Sequence, residues 1–374
     1  MSVSPTIQLT LLRHQTAIDE ALHQTVYTAI NTAIASGTPD LASYYGQIQY
    51  HLGWVDAHLT PTTSNPGKLL RPTLLVLAYE AAGAAGLDTS NTSYLRRALP
   101  AAAAVELTHN FTLIHDDIED SDAERRHRST LWKLWGIPQA INTGDGLFAL
   151  ARLTLWGVLN EGVEGLTAAR LGAILDRACL VLSEGQYLDI SFEQSLHISV
   201  ASYVDMIRRK TAALMSCAAE MGALLGTSDS QTIERLRNFG EAMGIAFQVR
   251  DDLLGVWAST AELGKTPAGD VYRRKKSLPI LYAMEQAIPN DQHILRHIYQ
   301  QETPVTSEQV AQVLAIFERT ETQAYCRAFL AEQCRLAYAT LASVPRLFNP
   351  VSTRALHDMH TLVHFVEEAA QEGI

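Results

Sequence analysis

Apolar residues recur every three to four positions along almost the whole chain, and this periodicity limits the possible folds more than any other feature. An amphipathic helix produces such spacing, whereas a half-buried strand alternates apolar and polar residues. Segments of alternating residues are almost absent, and no GxGxxG motif occurs. The sequence therefore predicts an all-α protein of roughly a dozen helices that bury one another's apolar faces.

The predicted helices are separated by short polar or turn-rich stretches, with a short break at 132–138 and a charged loop at 258–277. They cover residues 7–60, 69–86, 95–122, 140–160, 167–193, 199–225, 231–256, 278–287, 307–342 and 352–372. No low-complexity linker divides them. We therefore expect one helical domain over 1–374, with its motif-bearing core at about 65–280 and its C-terminal helices at 281–374.

Composition excludes several classes of protein. The net charge of −11 argues against a nucleic-acid-binding protein, whose contact surface is basic. Four cysteines (Cys179, Cys217, Cys326 and Cys334) show no CxxC spacing, so we interpret them as free, mostly buried thiols in a reducing compartment. The N-terminus does not read as a signal peptide, and no stretch reaches the roughly 18 to 20 apolar residues of a membrane span. A cytoplasmic location is expected.

The stretch HNFTLIHDDIEDSDAERRHRST joins an apolar lead-in to carboxylates and arginines. Because each helical residue advances by about 100°, Asp116 and Asp120 lie one turn apart on one face, with Asp117 beside them. Such carboxylates can hold a hard divalent cation, while Arg125 and Arg126 bind the anion that the cation also binds. Taken alone, the stretch is equally compatible with a solvated acidic face and a basic turn.

A second acidic pair, Asp251 and Asp252, again follows an apolar run and precedes a lysine-rich loop. Two such pairs can face each other from two helices of a bundle, which is how metal sites are built in helical cores. Three basic groups accompany the pairs: Gly67, Lys68 and Arg71; Arg125 and Arg126; and Lys265, Arg273, Arg274, Lys275 and Lys276. Together these features suit a substrate with a diphosphate group and a hydrocarbon tail.

Six segments resemble, in order, motifs of the trans-isoprenyl diphosphate synthases, which form the polyprenyl synthetase family. DDIED at 116–120 resembles the family's DDxxD. The others are PGKLLRP at 66–72 (GGKxxRP), EGQYLDI at 184–190 (GQxxDL), Lys210-Thr211 (KT), FQVRDD at 247–252 (FQxxDD) and GKTPAGDVYRRKKSLP at 264–279 (the lysine-bearing loop). The resemblance is greatest to short-chain geranylgeranyl and farnesyl diphosphate synthases. It implies a helical bundle of the isoprenoid synthase type with a central cavity, and a homodimer.

The resemblance also implies the reaction, a condensation of isopentenyl diphosphate with dimethylallyl, geranyl or farnesyl diphosphate by ionisation, condensation and elimination. About three Mg²⁺ ions, which Mn²⁺ can replace, would stabilise the leaving diphosphate. Asp116, Asp120 and Asp251 would bind the ions, and Asp117 and Asp252 would support them through metal-bound water. The released pyrophosphate would remove the final proton.

The resemblance assigns the remaining site residues to the two substrates. The allylic diphosphate would be held by Arg125, Lys210 and Lys265, and the carbocation sheltered by Thr211 and Gln248. Further substrate-binding residues would be Gln186 and Lys275. Isopentenyl diphosphate would be held by Gly67, Lys68, Arg71, His109 and Arg126. Without the resemblance, His109 is more readily interpreted as a hydrogen-bonded core histidine.

Three departures from the family pattern stand out. Gly255 replaces the third aspartate that often completes the second acidic motif. Asn65-Pro66 replaces part of the first glycine-rich turn, and Leu69 stands where a basic residue is common. The lysine loop is one residue longer than usual, which leaves the choice between Lys275 and its neighbours open.

Product length would depend on side chains one and two turns before the first aspartates, namely Phe111, Thr112 and Thr108. One aromatic beside a small residue resembles archaeal-type geranylgeranyl diphosphate synthases. We therefore expect a C20 product, with C15 second and longer products third. The alternative is that Phe111 is ordinary core packing.

Two other classes of protein remain open. A terpene synthase on the same scaffold would cyclise a prenyl diphosphate without isopentenyl diphosphate, and the incomplete second acidic motif would suit it. The complete set of residues for a second diphosphate argues against it. A non-catalytic subunit of a heteromeric synthase would have lost parts of the first acidic motif, which is complete here.

Overall fold

A computed structural model describes residues 5–38, 40–62, 67–84, 92–195, 197–258 and 268–371. Most of these residues are helical, which confirms the all-α prediction. The helices are α1 (Pro5–Ala35), α2 (Leu41–His51), α3 (Leu70–Ala82), α4 (Leu99–Glu119), α5 (Leu131–Trp135), α6 (Ile137–Trp156), α7 (Gly165–Gln194), α8 (Val200–Ile207), α9 (Ala213–Gly226), α10 (Ser230–Trp257), α11 (Gly269–Tyr272), α12 (Leu278–Gln286), α13 (Pro289–Gln300), α14 (Ser307–Arg319), α15 (Thr322–Ala342) and α16 (Pro350–Gln371).

Shorter elements adjoin these helices. Thr92–Arg97 and Gly157–Glu161 are 3₁₀ segments, and Arg208–Ala212 is a π-helical turn between α8 and α9. An antiparallel hairpin of β1 (Glu124–Arg125) and β2 (Arg128–Ser129) follows α4. The sequence pattern did not predict this hairpin, since its two strands are too short to show an alternating pattern.

The structure corrects several predicted helix boundaries. The helix predicted over 7–60 is two helices, and beyond His51 the chain turns and forms a bridge between Val55 and Pro61. The predicted break at 132–138 contains α5 and the start of α6, separated by Gly136 at φ 83°.

The C-terminal third also differs from the prediction in two places. The helix predicted over 307–342 is interrupted at Glu321, which adopts a left-handed conformation with φ 53°. Helix α13 occupies a stretch for which no helix was predicted. The short helix α11 lies within the predicted loop over 258–277, of which residues 259–267 lie outside the described ranges.

Helix α4 lies at the centre of the bundle, where it packs against α3 and α6. Helix α3 also packs on α9, while α10 packs on α9 and α15. The C-terminal helix α16 contacts α3, α10 and α15. Buried apolar side chains form one cluster that extends from Ile7 in α1 to Ala369 in α16. Helices from the whole length of the chain therefore contribute to a common core.

Helices α3 and α9 are in contact through their backbones. A Cβ atom on Gly222 would lie 2.1 Å from the carbonyl oxygen of Leu75, a distance that atoms do not tolerate. Only glycine allows this close approach. Because Arg71 is in the first turn of α3 and Thr211 immediately precedes α9, the contact determines how far apart these two expected site residues lie.

The cysteine and membrane predictions can be compared with the structure. All four cysteines are buried and carry free thiols, as predicted. Among the residues in the ranges given above, no helix combines the length and the apolar run that a bilayer crossing requires.

Candidate active site

A cavity of about 640 Å³ opens between α4, α7 and α10 and contains most of the predicted site residues. Predicted residues that line it are Arg71, His109, Phe111, Thr112, Asp116, Arg125, Gln186, Lys210, Thr211, Gln248 and Asp251. The first acidic motif ends α4, and the second lies near the end of α10. The two acidic motifs, which are more than a hundred residues apart in the sequence, therefore meet at one cavity.

The first acidic motif forms ion pairs with Arg125. Arg125 donates from Nε to Oδ1 of Asp117 at 2.6 Å, and its Nη2 lies 3.7 Å from Oδ2 of Asp116. Asp117 is buried, and burial raises its pKa to about 6 although Arg125 opposes the shift. Asp117 therefore orients Arg125, while Asp116 faces the cavity.

The carboxylates fit a divalent cation by the chemistry of their donor atoms. Burial and then the neighbouring charge of Asp116 raise the pKa of Asp120 to about 7. The charge of Asp116 thus opposes the ionisation of Asp120, and a divalent cation would offset that repulsion through oxygen ligands. Within the described ranges, no three histidine, cysteine or acidic side chains converge on one point. Substrate oxygens would have to complete the coordination of an ion here.

Lys210 lies on the opposite wall, in the π-helical turn. Its Nζ is 3.0 Å from Oδ1 of Asp116 and donates to Oδ2 of Asp189 at 2.5 Å. Burial lowers the pKa of Lys210, but these two carboxylates outweigh it and raise the pKa above its ordinary value. The ammonium is therefore always charged and points at the acidic motif. Gln186, one turn before Asp189 on α7, donates to Oε2 of Glu119 at 2.6 Å.

Thr211, Gln248 and Asp252 form a chain of hydrogen bonds. Thr211 donates to Oε1 of Gln248 at 3.0 Å, and Gln248 donates from Nε2 to Oδ1 of Asp252 at 3.1 Å. Asp252 is fully buried, and its Oδ2 accepts from the hydroxyl of Tyr203 at 2.5 Å and the backbone N–H of Leu278 at 3.3 Å. Asp252 thus holds α8, α10 and the start of α12 together behind the cavity.

The lysine loop contributes Lys275 to this side of the site. Its Nζ lies 3.5 Å from Oδ1 of Asp252 and 3.8 Å from Oδ2 of Asp270. Lys276 instead donates to three carbonyl oxygens at the end of α7, and Arg274 donates to the carbonyl oxygen of Thr303. The structure therefore distinguishes Lys275 from its neighbours. Lys265 lies outside the described residues.

A second cavity, of about 510 Å³, adjoins the first and is basic. Its lining includes the five residues that the resemblance assigns to isopentenyl diphosphate: Gly67, Lys68, Arg71, His109 and Arg126. Gly67 adopts φ 103°, and a Cβ there would lie 2.8 Å from Nη2 of Arg126. The two cavities adjoin, since both are lined by Arg71, His109, Thr211, Phe247 and Asp251.

His109 is a neutral acceptor in this basic pocket. Nη1 of Arg71 lies 3.0 Å from Nε2 of His109, and a guanidinium can only donate. Burial and then the charge of Arg71 lower the pKa of His109 well below its usual value. His109 therefore orients Arg71 without adding a charge of its own.

Arg126 reaches the pocket from a strained turn. The hairpin between β1 and β2 turns through Arg126 and His127, which both adopt left-handed conformations with φ 53° and 60°. Two positive φ angles match the twist of a two-residue hairpin, but asparagine and glycine are the residues that usually adopt them. Each costs about 1 kcal/mol or more for other residues. This turn conformation places the guanidinium of Arg126 beside Gly67, in the wall of the pocket.

Asp270 occupies the space beside Gly255, the position at which the second acidic motif lacks a third aspartate. A Cβ atom on Gly255 would lie 2.2 Å from Oδ2 of Asp270, whose side chain is buried. Asp270 in turn accepts from Nη2 of Arg273 at 2.7 Å and lies close to Lys275. A carboxylate from α11 thus fills the space in which a side chain at position 255 would begin.

Two of the three predicted product-length residues line the larger cavity. Phe111 and Thr112 line it, and Thr108 is fully buried. The ring of Phe111 packs edge-on against Phe148 of α6, with centroids 5.1 Å apart. The guanidinium of Arg152 lies against the other ring, 3.3 Å from the centroid of Phe148. Phe111 thus lines the cavity and also packs against an aromatic ring of α6 that is itself covered by an arginine.

Several residues at the site were missed by the sequence reasoning. Glu106 lines the basic pocket as a buried acid, and Arg250 lines it from α10. Glu106 could have been identified from the sequence, because it is an isolated carboxylate in the alanine-rich start of α4 and isolated charges are rare in buried helices. Asp189 lies within the EGQYLDI motif itself. Phe148 and Tyr203 carry no local signal, since only the tertiary fold brings them to the site.

Comparison with known proteins agrees with this geometry. The family described as Polyprenyl synthetase matches residues 53–317. The chain is 38% identical over 287 residues to a geranylgeranyl diphosphate synthase of Mycobacterium tuberculosis, with 77% of each chain covered. It is 40% identical over 237 residues to a (2E,6E)-farnesyl diphosphate synthase of Mycobacterium bovis, which covers 63% of this chain and 62% of that protein.

Solved structures show the same fold. A polyprenyl synthetase from Streptomyces coelicolor A3(2) superposes with a TM-score of 0.78 at 33% identity, covering 94% of this chain and 99% of that one. A geranylgeranyl pyrophosphate synthetase from Pyrococcus horikoshii gives 0.80 at 26% identity, covering 97% and 98%. Sequence, fold and the order of the motifs agree, and the chain belongs to the polyprenyl synthetase family.

Proposed function

We propose that this prenyltransferase condenses isopentenyl diphosphate with an allylic diphosphate and makes geranylgeranyl diphosphate as its main product, with farnesyl diphosphate second. The observation that carries the proposal is the pair of adjoining cavities: both acidic motifs line one of them (the acidic cavity), and Lys68, Arg71, Arg126 and Arg250 line the other (the basic cavity). Joining two diphosphate substrates requires two anion-binding sites that bring the reacting carbon atoms of the substrates together. The relatives named as geranylgeranyl and farnesyl diphosphate synthases support the same reaction.

The allylic diphosphate binds in the acidic cavity, where Lys210 and Arg125 face its oxygens. The allylic C–O bond breaks, and its electron pair leaves with the diphosphate. The double bond of isopentenyl diphosphate then attacks the carbocation, and a proton passes to the released diphosphate. Thr211 and Gln248 present neutral dipoles to the cation, so that no strong nucleophile in this hydrogen-bonded pair captures it.

The acidic residues indicate a divalent metal as the remaining component. We propose that Asp116, Asp120 and Asp251 bind about three Mg²⁺ ions, which Mn²⁺ can replace and which neutralise charge on the leaving group. Oxygen donors from carboxylates are the ligands that Mg²⁺ prefers. Asp117 and Asp252 hold Arg125 and Gln248 in place for this arrangement.

The test is an incubation of the purified protein with Mg²⁺, labelled isopentenyl diphosphate and dimethylallyl or farnesyl diphosphate. Label in a longer linear diphosphate, lost on addition of EDTA and restored by Mg²⁺, is the expected result. A cyclised hydrocarbon without label would establish a terpene synthase instead. Turnover only after addition of a second polypeptide would establish a subunit of a heteromeric enzyme.

Product length provides a prediction about the end of the cavity. Phe111→Ala should lengthen the main product by about one isoprene unit, because removing a ring leaves a cavity of comparable volume. The ring of Phe148 packs against that of Phe111, so Phe111→Ala/Phe148→Ala should give longer products than either single change. Chromatography of the dephosphorylated products measures the distribution.

A matched control uses an aromatic residue away from the cavity. Phe329→Ala, in α15, should leave the product distribution as in the unmodified enzyme. An unchanged product distribution in the double variant would show that other residues limit product length and that Phe111 is an ordinary core residue.

We propose further that the enzyme is a homodimer. Leu166, Ala173, Leu180 and Tyr187 recur every seven residues along α7, and all are exposed. The side chains of Leu166, Leu180 and Tyr187 have relative exposures of 76%, 62% and 72%. Regularly spaced large apolar side chains on one helix face indicate a protein contact surface. Two-fold pairing of this face would bury them against an identical surface.

Leu180→Glu should therefore convert the dimer to a monomer, since it places a charge in the centre of the apolar stripe. Sedimentation equilibrium of both proteins measures the change. Leu336→Glu, at an exposed leucine of α15, is the control and should remain dimeric. A dimer that survives Leu180→Glu would place the interface elsewhere.

A further inference from the structure

The C-terminal helix reaches the basic pocket through one aromatic ring. Phe365 of α16 lies under two cations that come from distant parts of the chain. The guanidinium carbon of Arg250 is 4.4 Å from the ring centroid, and Nζ of Lys68 is 5.6 Å from it. Both distances are within the range of cation–π attraction, which extends to about 6 Å.

The two cations line the same pocket. Lys68 precedes α3 and Arg250 lies on α10, and both are among the residues around the basic cavity. Arg250 is buried, and its Nη1 is 3.9 Å from Oδ1 of Asp251. Burial and then the charge of Arg250 lower the pKa of Lys68. The two positive groups therefore stand close enough to repel each other.

An aromatic face reduces the cost of placing like charges together. Its negative quadrupole attracts both cations, while the ring itself carries no charge that would compete with an anion. A carboxylate in the same place would hold the cations as well, but it would repel a diphosphate. The ring thus positions positive charge without neutralising it.

We propose that Phe365 is a positioning residue for isopentenyl diphosphate, and that Arg250 is a further ligand of its diphosphate group. The inference rests on the proposed function, because it takes the basic cavity as the isopentenyl diphosphate site. It gives the C-terminal helix a part in substrate binding, for which the sequence of that region offered no sign. Phe365 acts through Lys68 and Arg250 and does not touch the reacting atoms.

The test measures KM for each substrate and kcat separately. Phe365→Leu keeps an apolar side chain and removes the aromatic face, so KM for isopentenyl diphosphate should rise about fivefold to tenfold. The KM for the allylic substrate should be unchanged, and kcat should stay within about twofold. Phe365→Trp should restore the original KM, because tryptophan has the strongest cation–π face.

A second measurement excludes a merely structural role. Site-specific incorporation of mono-, di- and trifluorophenylalanine at position 365 weakens the quadrupole stepwise at nearly constant shape. The KM for isopentenyl diphosphate should rise with each fluorine, whereas a packing role would leave it constant. If Phe365→Leu fails to fold, the fluorinated series alone decides the question. Phe329→Leu, at a partly buried aromatic of α15, is the matched control.

The outcomes also separate this inference from the proposed function. Calorimetry with isopentenyl diphosphate alone should show weaker binding to the Phe365→Leu protein than to the unmodified protein. No binding and no turnover by the unmodified protein would overturn the proposed function. Normal turnover with a KM that is insensitive to both Phe365→Leu and fluorination would overturn only the role of Phe365.

Discussion

Replacing Asp116 by asparagine should lower kcat by on the order of 10³-fold and leave the protein folded. The amide still accepts the hydrogen bond from Lys210, which lies 3.0 Å away. What it loses is the negative charge that would bind a divalent cation beside the leaving diphosphate. Asp251→Asn, on the opposing helix, should have an effect of similar size. The double variant should fall little further, because both carboxylates serve one cluster of charge.

Steady-state kinetics under saturating Mg²⁺ and circular dichroism are the measurements. Asp176→Asn is the control, because Asp176 also pairs with an arginine, Arg152 at 2.8 Å, but stands outside the cavity. The control should retain full activity. An Asp116→Asn enzyme within about tenfold of the unmodified kcat would contradict a metal-binding role for this carboxylate.

Restoring the aspartate that the family often has at position 255 should damage this protein. Gly255→Asp places a Cβ atom within 2.2 Å of the Asp270 carboxylate and adds a second negative charge in a buried space. Overpacking and the repulsion between two adjacent carboxylates together should lower the free energy of unfolding by about 3 kcal/mol. Chemical unfolding followed by circular dichroism measures the loss.

Two further variants test the explanation. Gly255→Ala should destabilise less, because its added methyl displaces Asp270 without adding charge. Gly255→Asp/Asp270→Gly should recover most of the stability, since it moves the carboxylate from one helix to the other. Additive losses in the double variant would show that the two positions do not compete for one space.

The sequence predicted regular helices well. It placed the helix corresponding to α7 at 167–193 and that corresponding to α10 at 231–256, within two residues of the structure at each end. Both are long and periodic, so packing of one face reinforces local preference. The hairpin after α4 was missed because Arg126 and His127 carry no turn signal. Tertiary contacts hold it instead: Arg128 donates to the carbonyl oxygens of Tyr50 and Val55.

The candidate site was predictable where its residues lie close together in the sequence. Spacing along one helix suffices to relate Asp116 to Asp120. Partners from elsewhere in the chain were not predictable, because nothing near Tyr203 or Asp270 in the sequence shows that it faces the second acidic pair. The same holds for Phe365, which lies more than a hundred residues beyond Arg250. A single sequence does not show which helices pack against each other.

The backbone contact between α3 and α9 at Gly222 has a consequence for how the enzyme handles substrates of different length. Arg71, in the first turn of α3, and Thr211, just before α9, both line the two cavities, and the close contact between the helices limits any change in their separation. The carbon atoms to be joined would then meet at one distance in every cycle. In the proposed reaction the growing chain would be accommodated beside Phe111, so bond formation and size selection could change independently during evolution.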